Sequence, residues 1–156
     1  MAKDKTPEQF YDELVTQGLY EEANLDKDEV EKVKRLAIED YEFGKSLKKL
    51  DNPNWRIIFN THYDVLRELC DQLMRFKKQK ISNHQGLFAF IILNFPKLEL
   101  DWQFFETVRG IRNQNKYKGK DISKDMWKKV EFQVDLYIPT LKKEIEKRLN
   151  DIIKNG

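Results

Sequence analysis

The sequence contains little cysteine, glycine and proline. One cysteine, Cys70, stands among 156 residues, so the chain can form neither an internal disulfide nor a cysteine-based metal site. Because its neighbours are apolar, we expect Cys70 to be a buried structural thiol rather than a nucleophile. Six glycines and four prolines are too few for a collagen-like chain, a low-complexity linker or a loop-rich β-domain.

Long hydrophobic runs are also missing. The longest run, Leu87 to Leu93, has seven residues and is too short to span a bilayer. The first ten residues, MAKDKTPEQF, are polar and do not resemble a signal peptide. These two features predict a protein of the reducing cytoplasm that does not act in a membrane.

Most catalytic signatures are absent as well. The sequence has no glycine-rich phosphate loop, no Gly-x-Ser-x-Gly elbow and no His-Glu-x-x-His zinc motif. Of its two histidines, His62 lies on an apolar stripe and is predicted to be a core histidine with a satisfied ring nitrogen. His84 follows Asn83 and is predicted to serve a cap or turn. Because two histidines without a carboxylate cluster make a poor metal site, we predict no metal and no cofactor.

What the sequence does contain is typical of a helical domain. Charged residues make up 36% of the chain and hydrophobic residues 40%, and the abundant Lys, Glu, Leu and Ile favour helix. Nineteen aromatic residues argue against disorder, since their burial can offset the entropy of the chain. Thr6 and Gln9 form a capping-box pattern for a first helix that ends near Gly18, and Asp26 with Glu29 begins a second.

The strongest periodicity lies in the central segment. A stripe of residues recurs there at steps of three and four and predicts an amphipathic helix with one buried side: Ile58, His62, Val65, Leu66, Leu69, Leu73 and Phe76. The next segment, Leu87 to Phe95, could be a buried helix or a central strand. We favour a helix, capped by Ser82 and Gln85, because no neighbouring segment offers a strand partner.

Two more helices complete the predicted fold. One begins at Asp101 and runs to about Tyr117, and a long final helix contains Pro139, which predicts a kink near Asp135. Five or six helices with short connections predict an all-α, antiparallel up-and-down bundle. We assign residues 1–25 to a helical extension packed on the bundle and residues 26–156 to the bundle itself.

Charge is unevenly distributed along the chain. Lys and Arg number 29 and Asp and Glu 27, which gives a net charge of +2. Residues 1–34 hold five lysines and ten acidic residues, a net charge of −5, whereas residues 108–130 hold eight basic and two acidic residues, a net charge of +6. A local basic segment can attract phosphate even in a neutral chain, although it can also be a solvated helix end.

Within the basic segment, one stretch carries chemistry: Arg109-Gly-Ile-Arg112-Asn113-Gln-Asn-Lys116-Tyr117-Lys118-Gly119. Helical spacing brings Arg109, Arg112 and Lys116 to roughly one face of a helix. The guanidinium of Arg112 can hold a phosphate with two hydrogen bonds. Tyr117 can stack on a base or donate its hydroxyl. Alternatively, the cations complement the helix dipole and Tyr117 packs on the bundle. The candidate phosphate-binding residues are Arg109, Arg112, Lys116 and Lys118.

The pattern Arg-Asn-x-x-x-Tyr-Lys-Gly, which follows a Phe-rich helix and precedes a long amphipathic helix, resembles the HEPN superfamily (higher eukaryotes and prokaryotes nucleotide-binding). The segments Tyr63-Asp-Val-Leu-Arg67-Glu and Lys80-Ile-Ser-Asn83-His84-Gln-Gly add to the resemblance, which covers roughly residues 26–152. It is greatest to the small stand-alone archaeal and bacterial type.

The resemblance implies a helical bundle, usually dimeric, with a composite cleft between two copies. It further implies that Arg112 and Asn113 match the arginine and the polar residue of the family's Arg-polar…His motif. Tyr117 stands where a histidine could follow. In an active member of the family, the arginine would hold the scissile phosphate and the histidine would move protons. The candidate catalytic residues are therefore Arg112, Asn113 and Tyr117.

We consider three functions and place binding before catalysis, because the motif histidine is missing. The first is a dimeric module that binds a nucleotide or an RNA phosphate. The second is a metal-independent endoribonuclease of toxin–antitoxin type. The third is a non-catalytic partner of a nucleotidyltransferase. The sequence leaves open whether His62 or His84 reaches the basic motif.

Overall fold

The computed structural model describes residues 4–155, which form an all-α helical bundle with one small β-ribbon. The all-α bundle predicted from the sequence is therefore confirmed. In this part of the chain the elements are α1 Pro7–Thr16, β1 Glu21–Glu22, α2 Lys27–Leu47, α3 Trp55–Arg75, β2 Gln79–Lys80, α4 His84–Asn94, a 3₁₀ turn Pro96–Leu98, α5 Trp102–Lys118 and α6 Lys124–Asn155.

Polar caps set the starts of the helices, and one predicted cap is wrong. Thr6 and Gln9 form the predicted capping box of α1, and Asp26 accepts hydrogen bonds from the first turn of α2. For α4 we predicted Ser82, but the cap is Asn83, whose side-chain oxygen lies 2.8 Å from the Gly86 backbone nitrogen. An Asn side chain at this position reaches the third helical N–H, so the helix begins one residue later than a Ser82 cap would allow.

Helix α3 lies at the centre of the bundle and packs against α2, α4, α5 and α6. Its predicted stripe is buried from Ile58 to Leu73, and only Phe76, just beyond the helix, is partly exposed. The apolar segment after Asn83 is a helix, as favoured. Its residues Gly86–Ile91 are buried, and both ends of α4 are partly exposed. Because these consecutive residues are all buried, the segment shows no amphipathic period.

Helix α6 runs antiparallel to α2. The Lys34 ammonium lies 3.6 Å from the Glu146 carboxylate, while near the opposite end of α2 the Lys48 ammonium lies 3.1 Å from that of Glu131. Pro139 lies inside α6, which is assigned as one continuous helix. The kink that we expect near this proline stays a prediction.

The chain before α2 packs on the start of α4. Helix α1 contacts α4, the Tyr20 hydroxyl donates to the Gly86 carbonyl at 2.8 Å, and β1 pairs antiparallel with β2. This ribbon is not predicted from the sequence, because each of its strands has only two residues. Its register sets Glu21 opposite Lys80, a pair of opposite charges.

The two residues predicted to be structural, Cys70 and His62, lie in the core. Both are fully buried, and burial raises the pKa of the Cys70 thiol. The Nδ1 of His62 lies 2.7 Å from the Ile58 carbonyl oxygen. Because a carbonyl oxygen only accepts, Nδ1 carries the proton and donates it. The centres of the His62 and Trp127 rings are 4.5 Å apart. Desolvation lowers the pKa of His62, so the ring is a neutral part of the core.

None of the helices within residues 4–155 is both long enough and apolar enough to cross a bilayer.

Candidate functional site

A polar cavity of about 330 Å³ lies between the start of α4 and the last turns of α5. Residues 82–85 form one wall, and the other is formed by Arg109, Arg112, Asn113 and Tyr117. We refer to this site as the polar cavity. It brings together the conspicuous basic motif of the sequence and a histidine far from it in the chain.

Arg109 is held in the wall of the polar cavity by a carboxylate. Its guanidinium donates two hydrogen bonds to Glu106, at 3.3 and 3.2 Å. The side-chain amide of Gln85 donates to the same carboxylate at 3.0 Å. Glu106 therefore ties α5 to the start of α4 and offsets part of the charge of Arg109.

Arg112 has a different environment. Its guanidinium carbon lies 5.0 Å from the centre of the Tyr63 ring, within the range of a cation–π contact. Among residues 4–155, no carboxylate forms an ion pair with Arg112, whereas Arg109 pairs with Glu106. The charge of Arg112 is thus the less compensated of the two beside the polar cavity.

His84 is the first residue of α4 and is half-buried in the opposite wall. Its Nδ1 lies 3.0 Å from the Tyr63 hydroxyl. Desolvation, with the positive charges of Arg112, Arg67 and Arg109, lowers the pKa of His84 to about 4. The ring is therefore neutral at pH 7. The predicted cap or turn role is wrong, because Asn83 is the cap and His84 belongs to the helix, where it faces the basic motif.

The other predicted residues lie at or beyond the rim. Tyr117 is 78% exposed, so it lines the polar cavity without packing on the bundle. Lys116 and Lys118 are exposed in the last turn of α5 and are not part of the cavity wall. They can contribute charge to this end of the molecule. Gly119, in the left-handed conformation, ends α5 directly after them.

A polar seam between α3 and α5 continues from Tyr63 and Arg112. One turn away, the side-chain amide of Asn60 donates to the side-chain oxygen of Asn115 at 3.2 Å. The side-chain amide of Asn115 in turn donates to the backbone carbonyl oxygen of Lys120 at 2.7 Å. Because Tyr63 meets Arg112 while Asn60 meets Asn115, α3 and α5 run antiparallel. This seam fixes the end of α5, and with it the motif that faces the polar cavity.

Four residues of the site were not identified as functional from the sequence: Tyr63, Gln85, Glu106 and, as a member of the basic site, His84. The spacing of Glu106 and Arg109, three residues apart on one helix, could have indicated their pairing. The other contacts join α3, α4 and α5, and nothing in the local sequence specifies which turns of these helices meet.

Between residues 4 and 155, no cluster of three or more His, Cys, Asp or Glu residues is arranged to hold a metal ion. The donors of the polar cavity are guanidinium, amide, hydroxyl and imidazole groups. Such a set suits an anion better than a cation.

A comparison of the chain with protein-family models, with curated proteins and with solved structures found no match in any of the three. We therefore base the function on the polar cavity and the motif that it contains.

Proposed function

We propose that this chain is a HEPN-like module that binds a nucleotide or an RNA phosphate in the polar cavity. The observation that carries the proposal is the environment of Arg112, whose guanidinium lies over the Tyr63 ring without a carboxylate partner among residues 4–155. A guanidinium without a carboxylate partner can form two parallel hydrogen bonds to a phosphate. Arg109 and Asn113 supply further donors beside it.

The start of α4 supports the same ligand. Residues 82–85 line the polar cavity, and the Asn83 cap occupies only the Gly86 N–H with its side chain. The first N–H groups of a helix lack partners within the helix and carry the positive end of its dipole. An anion between this helix start and Arg112 would therefore meet positive potential from both walls.

Tyr117 favours a ligand with a base over a bare phosphate. An aromatic ring that is largely exposed at the rim of a phosphate site can stack on a nucleobase. This contact would be insensitive to base identity, because every base has a π-face.

The decisive experiment measures binding of single-stranded RNA and of nucleotides to the full chain by calorimetry. We expect Arg112→Gln to weaken binding at least about tenfold, as expected for a lost charge-assisted contact. Arg148→Gln is the matched control, since Arg148 also lies over an aromatic ring, Phe95, 4.6 Å away at the far end of α4. Equal affinities of the Arg112 and Arg148 variants would disprove the proposed site.

A second function, metal-independent cleavage of RNA, is favoured by one observation. His84 lies in the same cavity as Arg112, so an imidazole ring and a cation that can bind phosphate face one space. This function predicts RNA cleavage that persists in chelator and is lost in both Arg112→Ala and His84→Ala. Binding without such cleavage would leave the binding module alone.

The proposal includes a homodimer in the cytoplasm. Apolar side chains that are exposed one turn apart on α6, Phe132 and Leu136, provide surface on which two copies could associate. A role as partner of a nucleotidyltransferase would instead be indicated by co-purification with such an enzyme in the absence of nucleic acid.

A further inference from the structure

Tyr63 contacts two residues of the polar cavity, Arg112 and His84. Its ring face lies 5.0 Å from the Arg112 guanidinium, and its hydroxyl lies 3.0 Å from Nδ1 of His84. Tyr63 itself belongs to α3 and is only 2% exposed, so it does not line the cavity. One buried side chain thus contacts two residues that come from different helices and face the same space.

The direction of the hydrogen bond follows from burial. A buried hydroxyl proton needs an acceptor, and among the described residues His84 Nδ1 is the only hydrogen-bond partner of the Tyr63 hydroxyl. Desolvation raises the pKa of Tyr63, so the hydroxyl keeps its proton and donates it. The pKa of His84 is lowered, so its Nδ1 is free to accept.

The tautomer of His84 follows from this hydrogen bond. With Nδ1 as the acceptor, the single ring proton of the neutral imidazole must be on Nε2. Within residues 4–155, no protein group forms a hydrogen bond with Nε2, while the ring lines the polar cavity. The Nε2–H of His84 is therefore available to donate to a ligand in the polar cavity.

We infer that Tyr63 is the positioning residue of the polar cavity, and that His84, held by the Tyr63 hydroxyl, donates its Nε2–H to the same phosphate that Arg112 binds. This inference rests on the proposed function and adds two residues to it. His84 contacts the ligand, and Tyr63 acts through His84 and Arg112. The ligand would be an anion that accepts from a neutral imidazole and a guanidinium together, as phosphate oxygens do.

The two parts of Tyr63 can be tested separately. Tyr63→Phe keeps the ring beneath Arg112 and removes only the hydroxyl, whereas Tyr63→Leu removes both. We expect Tyr63→Phe to weaken binding of inorganic phosphate by about threefold to tenfold, similar to His84→Ala, and Tyr63→Leu to weaken it more. The double variant Tyr63→Phe/His84→Ala should bind no more weakly than His84→Ala alone, because the hydroxyl acts through the imidazole.

Tyr41→Phe is the matched control. It also removes a buried tyrosine hydroxyl, which donates to Asp135 at 2.8 Å between α2 and α6, away from the polar cavity. We expect this variant to bind phosphate as the unmodified chain does. Thermal unfolding of every variant would show whether a loss of binding merely follows a loss of folded protein.

The decisive readout is nitrogen NMR of the His84 ring at pH 7, with inorganic phosphate as the probe. We expect the Nε2–H tautomer in the free protein, a shift of the Nε2 signal when phosphate is added, and a mixture of tautomers in Tyr63→Phe. A Nδ1–H tautomer in the free protein would overturn the inference.

The binding data separate the inference from the proposed function. Phosphate binding that requires Arg112 but is unchanged in His84→Ala and Tyr63→Phe overturns the inference and leaves the proposed function intact. If binding of neither phosphate nor RNA depends on Arg112, both are wrong.

Discussion

Tyr117 and Arg112 lie five residues apart in the sequence but have opposite surroundings. Arg112 rests on a buried aromatic ring, whereas Tyr117 is largely exposed at the rim. A bound nucleotide would therefore have its phosphate held by a positioned group and its base in contact with a more freely rotating one. The two residues should make separable contributions to binding.

Replacing Tyr117 by alanine tests this separation. We expect Tyr117→Ala to weaken binding of single-stranded RNA about fivefold or more, because stacking on an aromatic residue contributes about 1–3 kcal/mol per base. Binding of inorganic phosphate should be unchanged. Phe43→Ala removes another exposed aromatic residue, from α2, and is the control. Equal losses for RNA and phosphate would contradict a stacking role.

Glu131 is a second residue whose environment makes a measurable prediction. Desolvation raises the pKa of its carboxyl, but hydrogen bonds from Lys128, Lys48 and the Trp127 indole outweigh this effect and lower the pKa to about 2. Because the folded-state pKa lies below the unfolded one, the carboxylate stabilises the fold at pH values above about 4.5. That contribution is lost as pH falls toward 2.

Glu131→Ala should therefore lower the free energy of unfolding by about 1–3 kcal/mol at pH 7, since the Trp127 N–H loses its partner and Lys48 loses an ion pair. Urea unfolding at a series of pH values would measure the effect. The difference from the unmodified chain should narrow between pH 4.5 and pH 2. A difference that stays constant over this interval would refute the assigned role of the carboxylate.

At the scale of the helices, contact between α1 and α4 depends on a glycine. A Cβ atom at Gly86 would lie 2.5 Å from Cδ1 of Leu14 and 2.7 Å from Cδ1 of Ile81. Both of these side chains are buried, so they would have to rotate or move apart. The absence of a side chain at residue 86 lets α1 approach the first turn of α4 closely.

Gly86→Ala should destabilise the protein by about 1–2 kcal/mol through overpacking. Gly110→Ala is the matched control, because a Cβ at Gly110 would meet no atom within 4 Å and alanine favours helix by up to about 1 kcal/mol. Thermal unfolding should thus move in opposite directions for the two variants. Stabilisation of similar size in both would show that helix propensity, and not the contact with α1, decides the outcome.

The helices could be predicted from the sequence to the extent that their signals are local. The capping box at Thr6 and the stripe that begins at Ile58 depend on residues a few positions apart, and both were predicted correctly. Ser82 and Gln85 have the spacing of a capping pair and predict the wrong cap for α4. Asn has a capping preference similar to that of Ser, and only the backbone geometry distinguishes Asn83.

The candidate site was predictable only in part, for the same reason. Arg112 and Asn113 stand out as a motif within one helix. The approach of His84 depends on how α4 packs against α3 and α5, which pairs residues 21 positions or more apart along the chain. Helical periodicity specifies which side of a helix is buried, but it does not specify the neighbour that buries it.

At the scale of the whole molecule, the proposed dimer makes a specific prediction. Phe132 is 80% exposed and Leu136 51% exposed, and both lie on one side of α6. If two copies associate through this side, Phe132→Asp together with Leu136→Asp should produce monomers, because like charges would be buried without partners. Analytical ultracentrifugation would measure the mass.

Exchanging two exposed apolar residues elsewhere, Leu50 and Ile153, for the same charged residues is the control and should leave the mass unchanged. A dimer that persists in the Phe132 and Leu136 variant would place the contact on another surface. A monomer in the unmodified chain would rule out the homodimer.

The short β-ribbon has a consequence for how the chain is assembled. It joins the segment before α2 to the segment after α3, and the Ala23 backbone nitrogen lies 3.0 Å from the Lys78 carbonyl oxygen. The two ends of the α2–α3 hairpin are therefore held together at one place within the bundle. A circularly permuted chain that opens the loop between α2 and α3 would still bring α1 against α4, because the strands at the base of the hairpin remain to close it.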